Sequence, residues 1–215
     1  MLMPAFESAS NSFAETPAIE LGGRRALELA GVGIDDIEII DLYSCFPSAV
    51  RVQQRELGLA ADGTPTVTGG MAFAGGPFNS FVLHATVEIA RRIRAQGGRG
   101  LVTTVSGLLT KPGLAVWGAV PGDGPALVAD LTQEVAAATE QVEVVSGFHG
   151  EASVVACTVT YDGLEPADLV AVLDTPDGDR VIARSNDREL VVQATQVELI
   201  GRRFAVDGNS LGAPG

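Results

Sequence analysis

Basic residues are scarce in this sequence. Of 215 residues, 14 are Lys or Arg against 27 Asp or Glu, and Lys111 is the only lysine. The formal net charge of −13 at pH 7 disfavours contact with a phosphate backbone, so a nucleic-acid-binding protein is not expected. The same charge argues against binding to anionic membranes. We therefore interpret the acidity as favouring solubility, with neither nucleic acid nor membrane as a partner.

Cysteine and histidine are also scarce, with two residues of each type. Cys45 and Cys157 lie far apart and lack the spacing of metal ligands, so neither a disulfide framework nor a metal site is predicted. The first residues contain no basic region followed by an apolar one, which argues against a signal peptide. No apolar run reaches the roughly 20 residues of a membrane span. The sequence therefore predicts a protein of the reducing cytoplasm.

The sequence does contain a large apolar fraction, 46% of its residues, which is enough for a packed core. Its first half alternates helical and strand patterns, as is typical of an α/β layer. Helices are predicted at residues 16–30, 47–57 and about 80–95, and strands at residues 37–42, 101–105 and 114–119. Arg51, Gln54 and Arg55 are expected on the outer face of the second helix. A sheet of only about three strands would have open edges.

The pattern changes after Gly150 to short strands at close spacing, predicted at residues 153–161, 169–173, 180–184, 190–194 and 203–206. Thr175-Pro176-Asp177-Gly178 is a hairpin turn in which Gly178 supplies a positive φ. A connecting helix is predicted over residues 126–141. We therefore expect an α/β part over residues 1–119, a linker with a helix over 120–145, and a small antiparallel β-barrel-like domain over 146–210.

Three segments carry the most specific patterns. The first, Asp41-Leu42-Tyr43-Ser44-Cys45-Phe46, follows a buried strand. The second, residues 69–79, is called here the glycine loop and reads Gly-Gly-Met-Ala-Phe-Ala-Gly-Gly-Pro-Phe-Asn, with Asn79 expected to cap the next helix. The third runs from Gly100 to Gly107 and continues as Leu-Thr-Lys-Pro-Gly to Gly113. The glycines allow the loop to bend sharply and to approach a ligand closely.

In this order, the three segments resemble the thiolase superfamily, and most of all the type 1 thiolase-like proteins of the acetyl-CoA acetyltransferase class. The glycine loop is similar to the Gly-Gly-four residues-Gly-His-Pro loop of thiolases. The resemblance implies the C-terminal half of a thiolase-like fold, followed by its additional C-terminal β domain. It also implies acyl transfer on CoA thioesters, with acyl-CoA as substrate or ligand and no cofactor or metal.

The sequence departs from thiolases where they carry their chemistry. A thiolase uses a cysteine nucleophile activated by a histidine, with a second cysteine as acid/base. The nucleophile belongs to the N-terminal half of the fold, the histidine position is Gly76, and the second cysteine falls at Val105 or Ser106. Tyr43 stands where thiolases have an asparagine. We therefore expect the isolated chain to be inactive, and a homodimer or a partner chain supplying the N-terminal half to complete it.

Three side chains remain candidates for catalysis. Tyr43 could donate a proton to an enolate oxygen, as a tyrosine in this neighbourhood is thought to do in some thiolase-like aldolases; the alternative is a packed tyrosine with a satisfied hydroxyl. Ser106 could donate a hydrogen bond to a thioester oxygen or be an ordinary turn residue. His84 could act as a base or be a partly buried helix histidine.

Five further residues are candidates for binding an acyl-CoA. Gly75, Gly76 and Pro77 precede a helix, and the N–H groups and dipole of its N-terminus can stabilise an oxyanion without any side chain. Lys111 could contact a CoA phosphate or be a solvated turn lysine. Cys45 is the only thiol near the loop, and a small apolar residue is the alternative interpretation.

Three functions are compatible with these patterns. One is an acyl-CoA acyltransferase homologue that needs a partner. Another is a non-catalytic acyl-CoA-binding or scaffold module, which the joint loss of cysteine and histidine favours. The third is a C–C lyase subunit of the aldolase type that uses Tyr43.

Overall fold

The structure is a computed structural model that describes residues 16–76, 78–122 and 124–214. The chain divides into two compact units, of which one spans residues 14–139 and the other contains residues 140–215. The first unit holds α1 (Pro17–Ala30), a 3-10 turn (Ile34–Asp36), β1 (Ile39–Asp41), α2 (Pro47–Glu56), α3 (Met71–Ala74), α4 (Phe81–Gln96), β2 (Arg99–Ser106), β3 (Leu108–Gly118) and α5 (Thr132–Ala138). The second holds β4 (Phe148–Asp162), β5 (Glu165–Asp174), β6 (Arg180–Ser185), α6 (Arg188–Ala194), β7 (Arg203–Gly208) and β8 (Ser210–Pro214).

The first unit is built on a three-stranded sheet of order β1-β2-β3. Strand β1 runs parallel to β2, and β2 runs antiparallel to β3. Neighbouring residues of β2 lie on opposite faces of the sheet. Leu101 packs with Ile19 of α1, and Val102 packs with Ile89 of α4. Gly100 lets α4 approach closely, since a Cβ there would lie 2.4 Å from Ile89 Cγ2. Helices therefore cover both faces of this short sheet.

The unit nevertheless leaves apolar side chains uncovered. Leu83 and Val87 lie one turn apart on α4 and are 66% and 59% exposed, and Phe73 and Phe78 of the glycine loop are still more exposed. We call the two α4 residues, Leu83 and Val87, the open apolar face. The expected open edges are also present, because β1 and β3 each have a single neighbour in the sheet. Exposed apolar side chains and unpaired strand edges are typical of surfaces that another chain covers.

The second unit is a closed five-stranded barrel of order β4-β5-β6-β8-β7. Its core is formed by inward-facing apolar residues, among them Leu169, Leu173, Val181 and Phe204. The prediction of a small barrel-like domain is confirmed, but the barrel is not wholly antiparallel. Strands β6 and β8 are parallel and meet through Arg184 and Ser210, because β8 follows β7 in a tight hairpin and closes the barrel against β6.

Several predicted elements differ from the structure. Residues 190–194 form helix α6 rather than a strand, because Asp187 caps the helix by accepting a hydrogen bond from the Leu190 N–H at 3.0 Å, while Leu190 and Val191 pack into the core. The connecting helix is only Thr132–Ala138, and strand β8 was not predicted. Gln54 is buried rather than on the outer face of α2, since its amide donates to the Ala60 and Gly63 carbonyls.

Candidate functional site

The end of β1 holds the start of the glycine loop through one buried carboxylate. Asp41 is 0% exposed. Its Oδ2 accepts hydrogen bonds from Thr66 Oγ1 at 2.9 Å, Val67 N at 2.9 Å, Thr68 N at 3.1 Å and Thr68 Oγ1 at 2.9 Å. The two hydroxyls in turn accept from the loop, Thr66 Oγ1 from Gly69 N at 3.0 Å and Thr68 Oγ1 from Gly70 N at 3.2 Å.

Ser44 makes a second connection between the first segment and the glycine loop. Its Oγ accepts a hydrogen bond from Met71 N at 2.9 Å. Gly70 has a φ of 82°, and a Cβ there would lie 3.1 Å from Ser44 Oγ. Glycine is therefore required at this position both by the backbone conformation and by the nearby hydroxyl.

A buried network joins Tyr43 to the third segment. Tyr43 N donates to Thr103 Oγ1 at 2.8 Å, and the Thr103 hydroxyl donates to Gln53 Oε1 at 2.5 Å. Gln53 Nε2 donates to the Tyr43 carbonyl at 2.8 Å. The Tyr43 ring is half-buried and meets Phe81 edge-on, with ring centroids 6.1 Å apart. Both backbone groups of Tyr43 are thus fixed, and with them the position from which its side chain projects.

At the far end of the glycine loop, Gly75 and Gly76 are exposed and can offer only backbone groups. Gly75 has a φ of 72°, whereas Gly76 lies outside the positive-φ region. Gly76 is exposed, and its N–H makes no hydrogen bond within the described residues. Pro77 lies outside the described residues. Ser80 is the N-cap residue of helix α4, so the prediction that Asn79 caps this helix is wrong.

An ion pair on α4 also supports the loop. Arg92 donates to the Val67 carbonyl at 3.1 Å and pairs with Glu88 at 2.9 Å. The hydrogen bond from Arg92 lowers the pKa of the Glu88 carboxyl, and the charge of Arg91 adds to this effect. The segment before the loop is therefore held from β1 on one side and from α4 on the other.

The other sequence candidates lie apart from this network. His84 is exposed on α4 rather than partly buried, Lys111 is exposed within β3 rather than in a turn, and Ser106 is exposed at the irregular end of β2. Across residues 16–76, 78–122 and 124–214, no hydrogen bond joins these three side chains to Tyr43 or the glycine loop. Cys45 is exposed and adjoins Ser44.

Sequence reasoning missed several residues that build the site, namely Asp41 as an anchor, Gln53, Thr66, Thr68 and Thr103. One available signal was a charged residue ending the apolar run Ile39-Ile40. Buried carboxylates are rare unless they are hydrogen-bonded or paired, so such a residue points to specific partners. The described part of the chain contains no cluster of three metal-ligating side chains and no helix long and apolar enough to cross a membrane.

The two thiols are expected to react at different rates. Burial raises the pKa of the Cys157 thiol, and the charge of Glu198 raises it further, whereas Cys45 is exposed. A higher pKa leaves less thiolate at pH 8, so iodoacetamide should modify Cys45 about tenfold faster than Cys157. Peptide mass spectrometry over time measures both rates, with Cys45→Ser as control. Equal rates would contradict this expectation.

Comparison with known proteins supports one fold. No protein-family model and no curated protein sequence matches the chain. Among solved structures, it is similar to a monomeric SCP2-thiolase-like protein type 1 from Mycobacterium smegmatis, with 28% sequence identity and a TM-score of 0.87. The match covers 99% of this chain but 48% of the other, so the chain spans about half the length of that protein. The likeness supports a thiolase-like fold.

Proposed function

We propose that this chain binds acyl-CoA as the C-terminal half of a type 1 thiolase-like protein of the acyltransferase class, together with its additional β domain. The observation that carries the proposal is the convergence of the three segments. Side chains at the end of β1 hold the glycine loop, and Thr103 of β2 holds Tyr43 beside it. These are the segments on which the resemblance to thiolases depends.

The ligand contact in this proposal is made by backbone. Gly76 is an exposed residue, and its N–H has no partner among the described residues, so this N–H is the donor that we assign to a thioester oxygen. The N-terminus of the 16-residue helix α4 follows four residues later and favours negative charge. Donors of this kind polarise a thioester carbonyl and stabilise an oxyanion, but they supply no nucleophile and move no proton.

The chemistry would come from a partner chain or segment that supplies the N-terminal half. The open apolar face and the two sheet edges give such a partner a surface to cover. The matched structure is about twice as long, which leaves room for one further half. The second candidate is a non-catalytic acyl-CoA-binding module, favoured by the glycine that stands in place of a catalytic imidazole at position 76.

Two glycine variants test the proposed contact. Gly75→Ala places a Cβ at a φ of 72°, which strains the backbone, whereas a Cβ at Gly76 would meet Met71 and Phe81 no closer than 3.5 Å. We expect Gly75→Ala to weaken binding of a non-hydrolysable acetyl-CoA analogue about tenfold or more and Gly76→Ala to change it less than threefold. Calorimetry with the full 215-residue chain measures both.

The outcomes separate the alternatives. Absence of binding to the unmodified chain at millimolar analogue would refute the proposal. Turnover of acetyl-CoA or acetoacetyl-CoA by the chain alone would refute the need for a partner. Binding without turnover, even after an N-terminal thiolase-like half is added, would favour the non-catalytic module.

A further inference from the structure

The Asp41 carboxylate is an unusual group for the interior of a protein. It is fully buried, and no cation pairs with it among residues 16–76, 78–122 and 124–214. Four donors converge on Oδ2, while Oδ1 is buried without a hydrogen-bond partner in this described part of the chain. Burying a carboxylate oxygen unpaired costs free energy, and an apolar residue would avoid that cost. The arrangement therefore calls for an explanation other than stability.

The direction of the hydrogen bonds provides one. An ionised carboxylate can only accept, and a threonine hydroxyl has a single proton to donate. Because Thr66 and Thr68 both give their proton to Asp41 Oδ2, their lone pairs are left for the N–H groups of Gly69 and Gly70. Asp41 Oδ2, as the acceptor of both protons, thus sets the orientation of the Thr66 and Thr68 hydroxyls, which in turn accept from the first two residues of the glycine loop.

We propose that Asp41 is a positioning residue whose carboxylate fixes the glycine loop in its ligand-binding shape through the Thr66 and Thr68 hydroxyls. Gly69 and Gly70 have φ values of 86° and 82°, and glycine has more backbone freedom in this region than any other residue. The two chains of hydrogen bonds, one through Thr66 and one through Thr68, restrict the backbone conformation of Gly69 and Gly70 and so fix the start of the glycine loop. The ligand-binding part of this inference rests on the proposed function, whereas the positioning of the loop does not.

Amide hydrogen exchange of the full chain, followed residue by residue by NMR, tests the positioning. Asp41→Asn keeps the shape of the side chain but removes its charge and introduces two donors. We expect the Gly69 and Gly70 amides to exchange about tenfold faster or more in this variant, while the Leu101 and Val102 amides of β2 change less than twofold. Glu38→Gln is the control, since Glu38 accepts from Arg99 N at the opposite end of β1 and makes no hydrogen bond to the described residues of the glycine loop.

Two single substitutions keep the inference testable if Asp41→Asn does not fold. Thr66→Val should accelerate exchange at Gly69 more than at Gly70, and Thr68→Val should do the reverse, because each hydroxyl accepts from one of the two amides. If exchange became faster by the same factor at the loop amides and at the β2 amides, Asp41 would stabilise the unit as a whole rather than the loop, and the proposal would be overturned. Unprotected Gly69 and Gly70 amides in the unmodified chain would also overturn it.

A ligand measurement connects the loop to the proposed function. We expect Asp41→Asn to weaken binding of the non-hydrolysable acetyl-CoA analogue at least fivefold and Glu38→Gln to leave it unchanged. Unchanged affinity in Asp41→Asn, with faster exchange at Gly69 and Gly70, would overturn the ligand-binding part alone. If the unmodified chain binds no analogue, the proposed function fails, and the exchange rates still decide whether Asp41 positions the loop.

Discussion

Replacing Gln53 with leucine is expected to lower the free energy of unfolding of the first unit by about 2–5 kcal/mol. Gln53 is 1% exposed and makes three hydrogen bonds, to the Tyr43 carbonyl, the Ala49 carbonyl and the Thr103 hydroxyl. Leucine has a similar size but no polar atoms. It leaves the Tyr43 carbonyl without this donor and the buried Thr103 hydroxyl without its acceptor, and an unpaired buried polar group costs about 1–3 kcal/mol.

Trp117 fluorescence in a urea titration measures this effect, because it is the only tryptophan and lies on β3 of the same unit. In the double variant Gln53→Leu, Thr103→Val, the loss should be smaller than the sum of the two single losses, because both substitutions remove the same hydrogen bond between Gln53 and Thr103. Gln54→Leu is a matched control, since Gln54 is equally buried but holds the Ala60 and Gly63 carbonyls instead. A loss below 1 kcal/mol in Gln53→Leu, or a loss in the double variant equal to the sum of the two single losses, would contradict the network.

Phe204→Ala is expected to destabilise the barrel by about 3–5 kcal/mol. Phe204 is 0% exposed, lies on β7 opposite Ala152 of β4, and belongs to the apolar cluster inside the barrel. Truncation removes a large apolar surface and leaves a cavity that closely packed neighbours fill only in part. A loss of this size is a large fraction of the free energy of unfolding of a typical domain, which is about 5–15 kcal/mol.

Hydrogen exchange of barrel peptides, measured by mass spectrometry under increasing urea, reports the stability of the barrel. Tryptophan fluorescence does not, because Trp117 lies in the first unit. Val192→Ala is the control, because Val192 on α6 is 36% exposed although its neighbour Val191 is buried. We expect the control to lose less than about 1 kcal/mol. Similar losses in the two variants would show that Phe204 does not anchor the core.

Local signals in the sequence were sufficient where they agreed with one another. Pro17 at the first turn and Gly31 in the left-handed conformation bound α1 close to its predicted ends, and Pro47 starts α2 as expected. The signals conflicted at residues 190–194, where the β-branched pair Val191-Val192 favours a strand and the Asp187 cap favours a helix. The helix forms because it buries Leu190 and Val191 in the core of the barrel. This tertiary contact cannot be predicted from the local sequence pattern.

The site was predictable only in part for a related reason. Glycine spacing and the Tyr43 segment identified the loop and its neighbour, because those features are contiguous in sequence. Asp41 and Thr66 are separated by 25 residues, and Gln53 and Thr103 by 50. Their hydrogen bonds depend on how β1, α2 and β2 come together, which the pattern of any single segment does not specify.

Gly76 differs in backbone conformation from the other glycines of the glycine loop. Gly69, Gly70 and Gly75 have positive φ values that exclude most side chains, but Gly76 does not, and a Cβ there would make only ordinary van der Waals contacts. Neither the backbone conformation nor the space around a Cβ therefore requires glycine at position 76, in contrast to the other three positions. Alanine at position 76 is therefore compatible with the present path of the loop, whereas alanine at position 69, 70 or 75 would strain the backbone.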